Sequence, residues 1–204
     1  MNMSRIAVDV VLLPDETMTD RAIEINAELV EKFGNEIVLN EESCLPHISL
    51  AMGSIEEADI APVGKVLEEI AKKTSLSDLK VVGIRSSGNS KGQTVSVFEV
   101  EKTKELQSLH EEVMDKLTPY LSTDVTEEMI YGDQPVAGST LLWIKNYREK
   151  AGFENFFPHI TIGYRQIENQ VPPITFVSSE LALCHLGNHC TCKKVLVSIK
   201  LKGP

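Results

Sequence analysis

No run of apolar residues in this 204-residue chain approaches the roughly 20 that a membrane-spanning helix needs, which excludes a helical membrane protein. The opening, MNMSRIAVDVVLLP, lacks a cleavage-site pattern and reads as a first alternating strand. No signal peptide is expected, and the cytoplasm is the expected location. Positive charge is also scarce: 20 Lys and Arg stand against 30 Asp and Glu, a formal net charge of −10. Long nucleic acid is bound by neutralising many phosphates, so the charge argues against a generic DNA or RNA coat. It does not exclude a small nucleotide, or an RNA end in a locally basic cleft. Cysteines are few: Cys44, Cys184, Cys190 and Cys192, three of them in one short stretch. That is not the spacing of a disulfide framework, and in a reducing compartment all four are expected as free thiols. There is no low-complexity segment, no charged tail and no oligomerisation signal, so a monomer is expected.

What remains is ordinary for a globular protein: 42% hydrophobic and 25% charged residues. The length suffices for one domain, 1–204, with two intimate lobes. Strands and helices alternate. Residues 5–13 alternate as a strand, ended by Pro14-Asp15. Ala22, Ile25, Leu29 and Phe33 share one face of a helix over 16–33, with Gly34 as its stop. A strand follows at 47–52, then a helix over about 60–73. LKVVGIRSSGNSKGQTVSVFEVE reads as a hairpin whose tip exposes Lys91. Leu106, Leu109, Val113 and Leu117 mark a third helix. Residues 122–138 are the least patterned and read as a long loop. Ser139 is placed as the cap of a helix through Trp143 and Tyr147 that closes at Gly152. A strand at 158–164 follows, and a strand pair, about 174–186 and 192–201, ends the chain.

One short phrase occurs twice. CLPHISLAMG begins at Cys44, and FFPHITIGYR begins at Phe156. Each contains Pro-His-Ile, a hydroxyl residue and an apolar residue. In a strand, residues i and i+2 share a face, about 6.6 Å apart. His47 and Ser49 therefore face one way, with Ile48 and Leu50 on the other side. His159 and Thr161 face one way, against Ile160 and Ile162. A proline before each histidine suits a strand start, where its missing N–H costs nothing. A single His-x-Ser is ordinarily structural. Two copies with the same polar face suggest two imidazoles and two hydroxyls converging across a cleft. One imidazole can then act as base and the other as acid in an in-line attack at phosphorus. The hydroxyls would donate to the phosphate oxygens, and no metal is required. The repetition also makes an internal duplication plausible.

HISL and HITI resemble the paired His-apolar-Ser/Thr-apolar signatures of the 2H phosphoesterase superfamily, which includes 2′-5′ RNA ligase-like proteins and cyclic phosphodiesterases. The resemblance implies an α+β, bilobal, duplicated fold in which two antiparallel sheets face a central cleft, with helices outside. It implies metal-independent, cofactor-free phosphodiesterase chemistry on 2′,3′-cyclic nucleotides or RNA ends. His47 and His159 are then the catalytic pair, and Ser49 and Thr161 bind phosphate. Which histidine is acid and which base stays open. A 2′-5′ RNA ligase or 2′-5′ phosphodiesterase would use the same site. A non-catalytic nucleotide- or RNA-end-binding module would keep the cleft and show binding without turnover. The expected partner is a nucleotide or an RNA end, with no DNA and no membrane. Two coupled imidazoles predict a bell-shaped pH profile with limbs near neutrality.

Other residues are weighed against this site. Phe156 and Phe157 precede the second motif and could stack on a base, with core packing as the simpler role. Tyr164 lies an odd number of residues from His159, so alternation points it away from the cleft. Arg165 is a possible phosphate contact if the strand continues. CHLGNHCTC gathers Cys184, His185, His189, Cys190 and Cys192, but alternate residues of a hairpin face opposite sides, so no metal site is expected there. His110 reads as a partly exposed packing residue.

Overall fold

The computed structural model describes residues 4–34, 36–88, 92–132, 135–168 and 171–202. The expected Lys91 hairpin tip lies outside them. The strands are β1 (Arg5–Pro14), β2 (Ile48–Glu56), β3 (Leu79–Gly88), β4 (Thr94–Val100), β5 (His159–Tyr164), β6 (Ile174–Phe176), β7 (Ser178–Leu186) and β8 (Cys192–Lys200). The helices are α1 (Glu16–Phe33), α2 (Ile60–Ala71), α3 (Lys104–Leu117) and α4 (Gly138–Ala151). The strands form two four-stranded antiparallel sheets, ordered β2-β1-β7-β8 and β5-β4-β3-β6. Each sheet thus carries one histidine strand at an edge.

Local chemistry explains the starts of two helices. The Asp15 carboxylate accepts from the Met18 amide, 3.0 Å away, and opens α1. Thr103 does the same for α3 through the Leu106 amide, at 3.2 Å. One face of each helix is buried, Met18, Ala22, Ile25 and Leu29 on α1 and Leu106, Leu109, Val113 and Leu117 on α3. The helices cross over: α1, which follows β1, packs on β5 of the other sheet, and α3, which follows β4, packs on β2. Residues of both sheets and all four helices share one continuous apolar core.

The two halves repeat down to a bulge. Val11 pairs with Ser49, the register shifts by one, and Asp9 then pairs with Met52. Val97 pairs with Thr161, the register shifts at the same place, and Val95 then pairs with Tyr164. An extra residue in the same place in both histidine strands is the structural trace of a duplicated unit.

Several sequence expectations need correction. The stretch 174–186 is two strands, not one: β6 joins β3 in one sheet and β7 joins β1 in the other. The chain changes sheet at Val177, whose amide donates to the Asp15 carboxylate (2.7 Å) and whose carbonyl accepts from the Asp15 amide (2.8 Å). Ser139 does not cap α4; the N-cap is Ala137, and its amide donates to the Asn188 side chain at 3.0 Å. Much of 122–138 is pinned rather than loose. Ser122 exchanges backbone bonds with Ser54, Val125 and Ile130 are buried, and the Tyr131 amide donates to the Leu186 carbonyl. The thiol expectation fails for two residues: Cys184 and Cys192 are disulfide-bonded with Cα atoms 5.6 Å apart, while Cys44 and Cys190 are free. Register shifts beside Cys184 and Leu186 turn these cysteines to one face, where they cluster with Val11 and Ala182. His110 is not partly exposed. It is fully buried, stacks on Phe156 at 4.0 Å, and accepts the Phe153 amide at Nε2.

Candidate active site

The polar faces of β2 and β5 meet across a cleft of about 480 Å³ lined by His47, Ser49, His159 and Thr161. This volume suits a nucleotide-sized ligand. Each histidine stands where the chain enters its strand after a proline. Their rings are held in the same way. His47 Nδ1 lies 2.7 Å from the Leu45 carbonyl, and His159 Nδ1 lies 2.7 Å from the Phe157 carbonyl. A carbonyl only accepts, so Nδ1 carries the proton in both rings and Nε2 is the basic nitrogen. The backbone two residues before each motif histidine thus fixes its tautomer.

The walls differ. On the first half, Ser49 Oγ donates to Asp9 Oδ2 at 2.6 Å, and the Tyr147 hydroxyl donates to the Ser49 carbonyl at 3.2 Å. His47 Nε2 lies 3.7 Å from Asp9 Oδ2. On the second half, Phe157 stacks beside His159 with ring centres 5.3 Å apart. The Arg85 guanidinium lies over the Phe157 ring and binds Glu99, which pairs with His159 across the strands. The exposed Leu142 and Trp143 of α4 stand at the cleft wall, and Lys150 from the same helix adds a cation. Cys190 and His189 enter from the β7–β8 turn with φ of 55° and 60°. Asn188 holds that turn to α4 by accepting from the Thr140 hydroxyl. His189 Nδ1 lies 2.8 Å from the Tyr164 hydroxyl, and its Nε2 lies 3.2 Å from the Glu36 carboxylate.

A family model described as the 2′-5′ RNA ligase superfamily matches residues 40–183, a span that contains both histidine motifs. The chain belongs to this superfamily. TT0787 of Thermus thermophilus has the same fold, with a TM-score of 0.59 and 16% identity over 97% of this chain and 99% of that one. E. coli LigT in apo form gives 0.54 and 11% identity over 98% and 99%. No curated protein sequence matches the chain. Membership agrees with the 2H phosphoesterase resemblance, and the superfamily is one of phosphoesterase- and ligase-like proteins.

Within this superfamily member the structure brings together His47, Ser49, His159, Thr161 and Phe157. Arg165 is not with them. The strand ends at Tyr164, and Arg165, with φ 103°, lines an adjoining cavity on the far side of Tyr164. Tyr164 itself faces the cleft, against strict alternation, because the bulge at Ile162 adds one residue to the count. The metal-like cluster does not converge: Cys184 and Cys192 are joined, His185 Nε2 meets the Met129 carbonyl, and His189 turns into the cleft. Sequence reasoning missed Asp9, Tyr147, His189 and Cys190. Only Asp9 carried a signal, being the one acidic residue inside an otherwise apolar strand.

Burial lowers the proton affinity of both motif histidines. His47 falls to about 4, through desolvation and the nearby His159, with the Leu45 carbonyl opposing. His159 also falls by desolvation, opposed by the Phe157 carbonyl. The limb expected near neutrality therefore moves to the acid side, and a bound phosphate anion would draw it back up. His110 is likewise held down to about 4 by burial.

These shifts set the acid stability. Unfolded histidine titrates at about 6.5, so between about pH 6.5 and 4 the unfolded chain binds more protons than the folded one. Stability that is fully present above about pH 6.5 is lost as pH falls through this window. His47 and His110 each contribute about 3 kcal/mol of that loss by about pH 4. Burial raises the Asp9 carboxyl, which acts in the opposite sense and offsets part of the loss. Melting scans from about pH 7 to about pH 4.5 are expected to show a falling Tm, and a constant Tm contradicts the assignment.

Proposed function

We propose that the protein is a metal-independent phosphodiesterase acting on 2′,3′-cyclic nucleotides or RNA ends by two-histidine acid–base catalysis. The carrying observation is the duplicated placement of two Nε2 atoms, each with its tautomer fixed by a carbonyl at 2.7 Å, in one nucleotide-sized cleft. In the reaction, one Nε2 takes the proton of the attacking oxygen as that oxygen bonds to phosphorus. The bond from phosphorus to the leaving ribose oxygen breaks, and the other imidazole protonates that oxygen. Thr161 donates to a non-bridging oxygen, and Lys150 adds positive charge at the wall. Phe157 and Trp143 offer ring faces to a base. The acidic surface suits a short substrate over a long polymer.

The test is turnover of the four nucleoside 2′,3′-cyclic monophosphates by the intact protein in EDTA. Hydrolysis to a single monophosphate regioisomer is expected, and the isomer identifies the bond cleaved. Binding of these compounds without turnover would overturn the enzymatic reading in favour of a binding module. Turnover that disappears in EDTA would overturn the metal-independent one.

A further inference from the structure

Asp9 is completely buried in a strand of valines and leucines. A carboxyl in that position is costly unless something is gained from it. The duplicated bulge shows that the fold does not need it: Asp9 pairs with Met52 where its counterpart Val95 pairs with Tyr164. The second half builds the same corner with a valine. Asp9 Oδ2 is engaged by the Ser49 hydroxyl at 2.6 Å and stands 3.7 Å from His47 Nε2, while buried Oδ1 has no hydrogen-bond partner among the described residues.

We propose that Asp9 is a positioning residue that makes His47 the proton acceptor and leaves His159 the proton donor in the phosphodiester reaction. This rests on the acid–base reading above. The base becomes an imidazolium as the reaction proceeds; that cation draws the Asp9 proton affinity back down from where burial holds it, and the carboxylate beside it favours the imidazolium. Among the described residues, only His47 of the pair has a carboxylate at its Nε2 that no cation already occupies. The carboxylate nearest His159 in register, Glu99, is bound at both oxygens by Arg85. His47 Nε2 takes the proton of the attacking water, whose oxygen bonds to phosphorus. The leaving ribose oxygen keeps the electron pair of its broken bond to phosphorus and takes the proton of His159 Nε2. Proton return from His47 to solvent, and proton uptake by His159, restore the starting state.

The other groups facing Asp9 are few. The Ala51 amide and Ser49 lower its proton affinity, and desolvation raises it more strongly. Tyr147 from α4 and Cys190 from the β7–β8 turn both feel its charge, and burial and that charge push both upward, so both stay neutral beside it. Ser49 and Thr161 therefore do not have the same task. The Ser49 proton is directed at Asp9, and Thr161 is the hydroxyl left to face the phosphate.

Asp9→Val, the residue of the matching position, and Asp9→Asn, which retains an acceptor for Ser49, test this. Two readouts are taken on the full chain: kcat and KM across pH for cyclic nucleotide hydrolysis, and the titration of the His47 and His159 ring protons by NMR without substrate. Both variants are expected to lose about tenfold or more in kcat with KM within about twofold. The His47 transition is expected to move to lower pH while His159 stays in place. Loss of activity with both transitions unmoved would make Asp9 merely structural and overturn the proposal. Unchanged kcat would overturn it as well. If the wild type hydrolyses none of these substrates, the proposed function fails separately, and the selective His47 shift still reads the coupling.

Discussion

Alanine at His47 or at His159 is expected to lower kcat by about 10²–10⁴, and the double variant to lose little more than the worse single one. The size follows from what one positioned proton carrier supplies. The lack of additivity follows from their joint action: once either proton transfer is gone, the concerted step cannot use the other. Both histidines reach the cleft, so each substitution leaves a space that water fills. The Leu45 and Phe157 carbonyls that held the rings can then bond to water, and the cost in stability stays small. The kinetic loss should therefore appear with Tm nearly unchanged at about pH 7. At about pH 5 the His47→Ala variant should melt higher relative to wild type than it does at neutral pH, because the protonation penalty of a buried imidazole is gone. Steady-state kinetics and melting of the two single variants and the double variant check this. Full activity in either single variant would remove the two-histidine mechanism.

How much of this was legible depends on whether a feature is local or set by register. Helix α1 was legible to the residue, since Asp15, the apolar spacing and Gly34 all act within one turn of their own position. The face shared by His47 and Ser49, or by His159 and Thr161, was legible because alternation over three residues survives most distortions. Alternation fails across a bulge, which is why Tyr164 was placed on the wrong side. The Cys184–Cys192 bond and the change of sheet at Val177 depend on which strands become neighbours, and nothing within 174–192 states that. Asp9 was visible as an anomaly in an apolar strand, but its meaning required knowing that Ser49 would be brought to 2.6 Å from it. His189 was hidden because the turn that carries it is positioned by Asn188 and Thr140, which are distant in sequence.

The largest loss of stability is expected from a residue outside the chemistry. Asn26 is buried on α1 and makes three hydrogen bonds with its one side chain. Its amide donates to the Ile37 carbonyl at 2.9 Å and the Ile162 carbonyl at 2.7 Å, and its oxygen accepts the Leu39 amide at 2.8 Å. Two of these bonds hold the segment that leads to β2, and the third holds β5 one residue beyond Thr161. His110 plays a related part from α3: its Nε2 accepts the Phe153 amide in the segment leading to β5, and its ring stacks on Phe156 of the same segment. Each crossed-over helix therefore carries one buried polar side chain that holds the segment entering its own half's histidine strand, and Asn26 also bonds the histidine strand of the other half. Asn26→Leu removes all three bonds and strands two carbonyls and one amide away from water. Each orphaned group costs about 1–3 kcal/mol, so the variant is expected to lose about 3–5 kcal/mol in denaturant unfolding. Asn26→Asp keeps the acceptor but loses both donations and should be similarly harmful at neutral pH. A loss below about 1 kcal/mol for Asn26→Leu would mean that the halves are joined by apolar packing alone. In the expected case, the alignment of two hydroxyls and two imidazoles across the cleft rests on two buried polar residues that never meet the substrate.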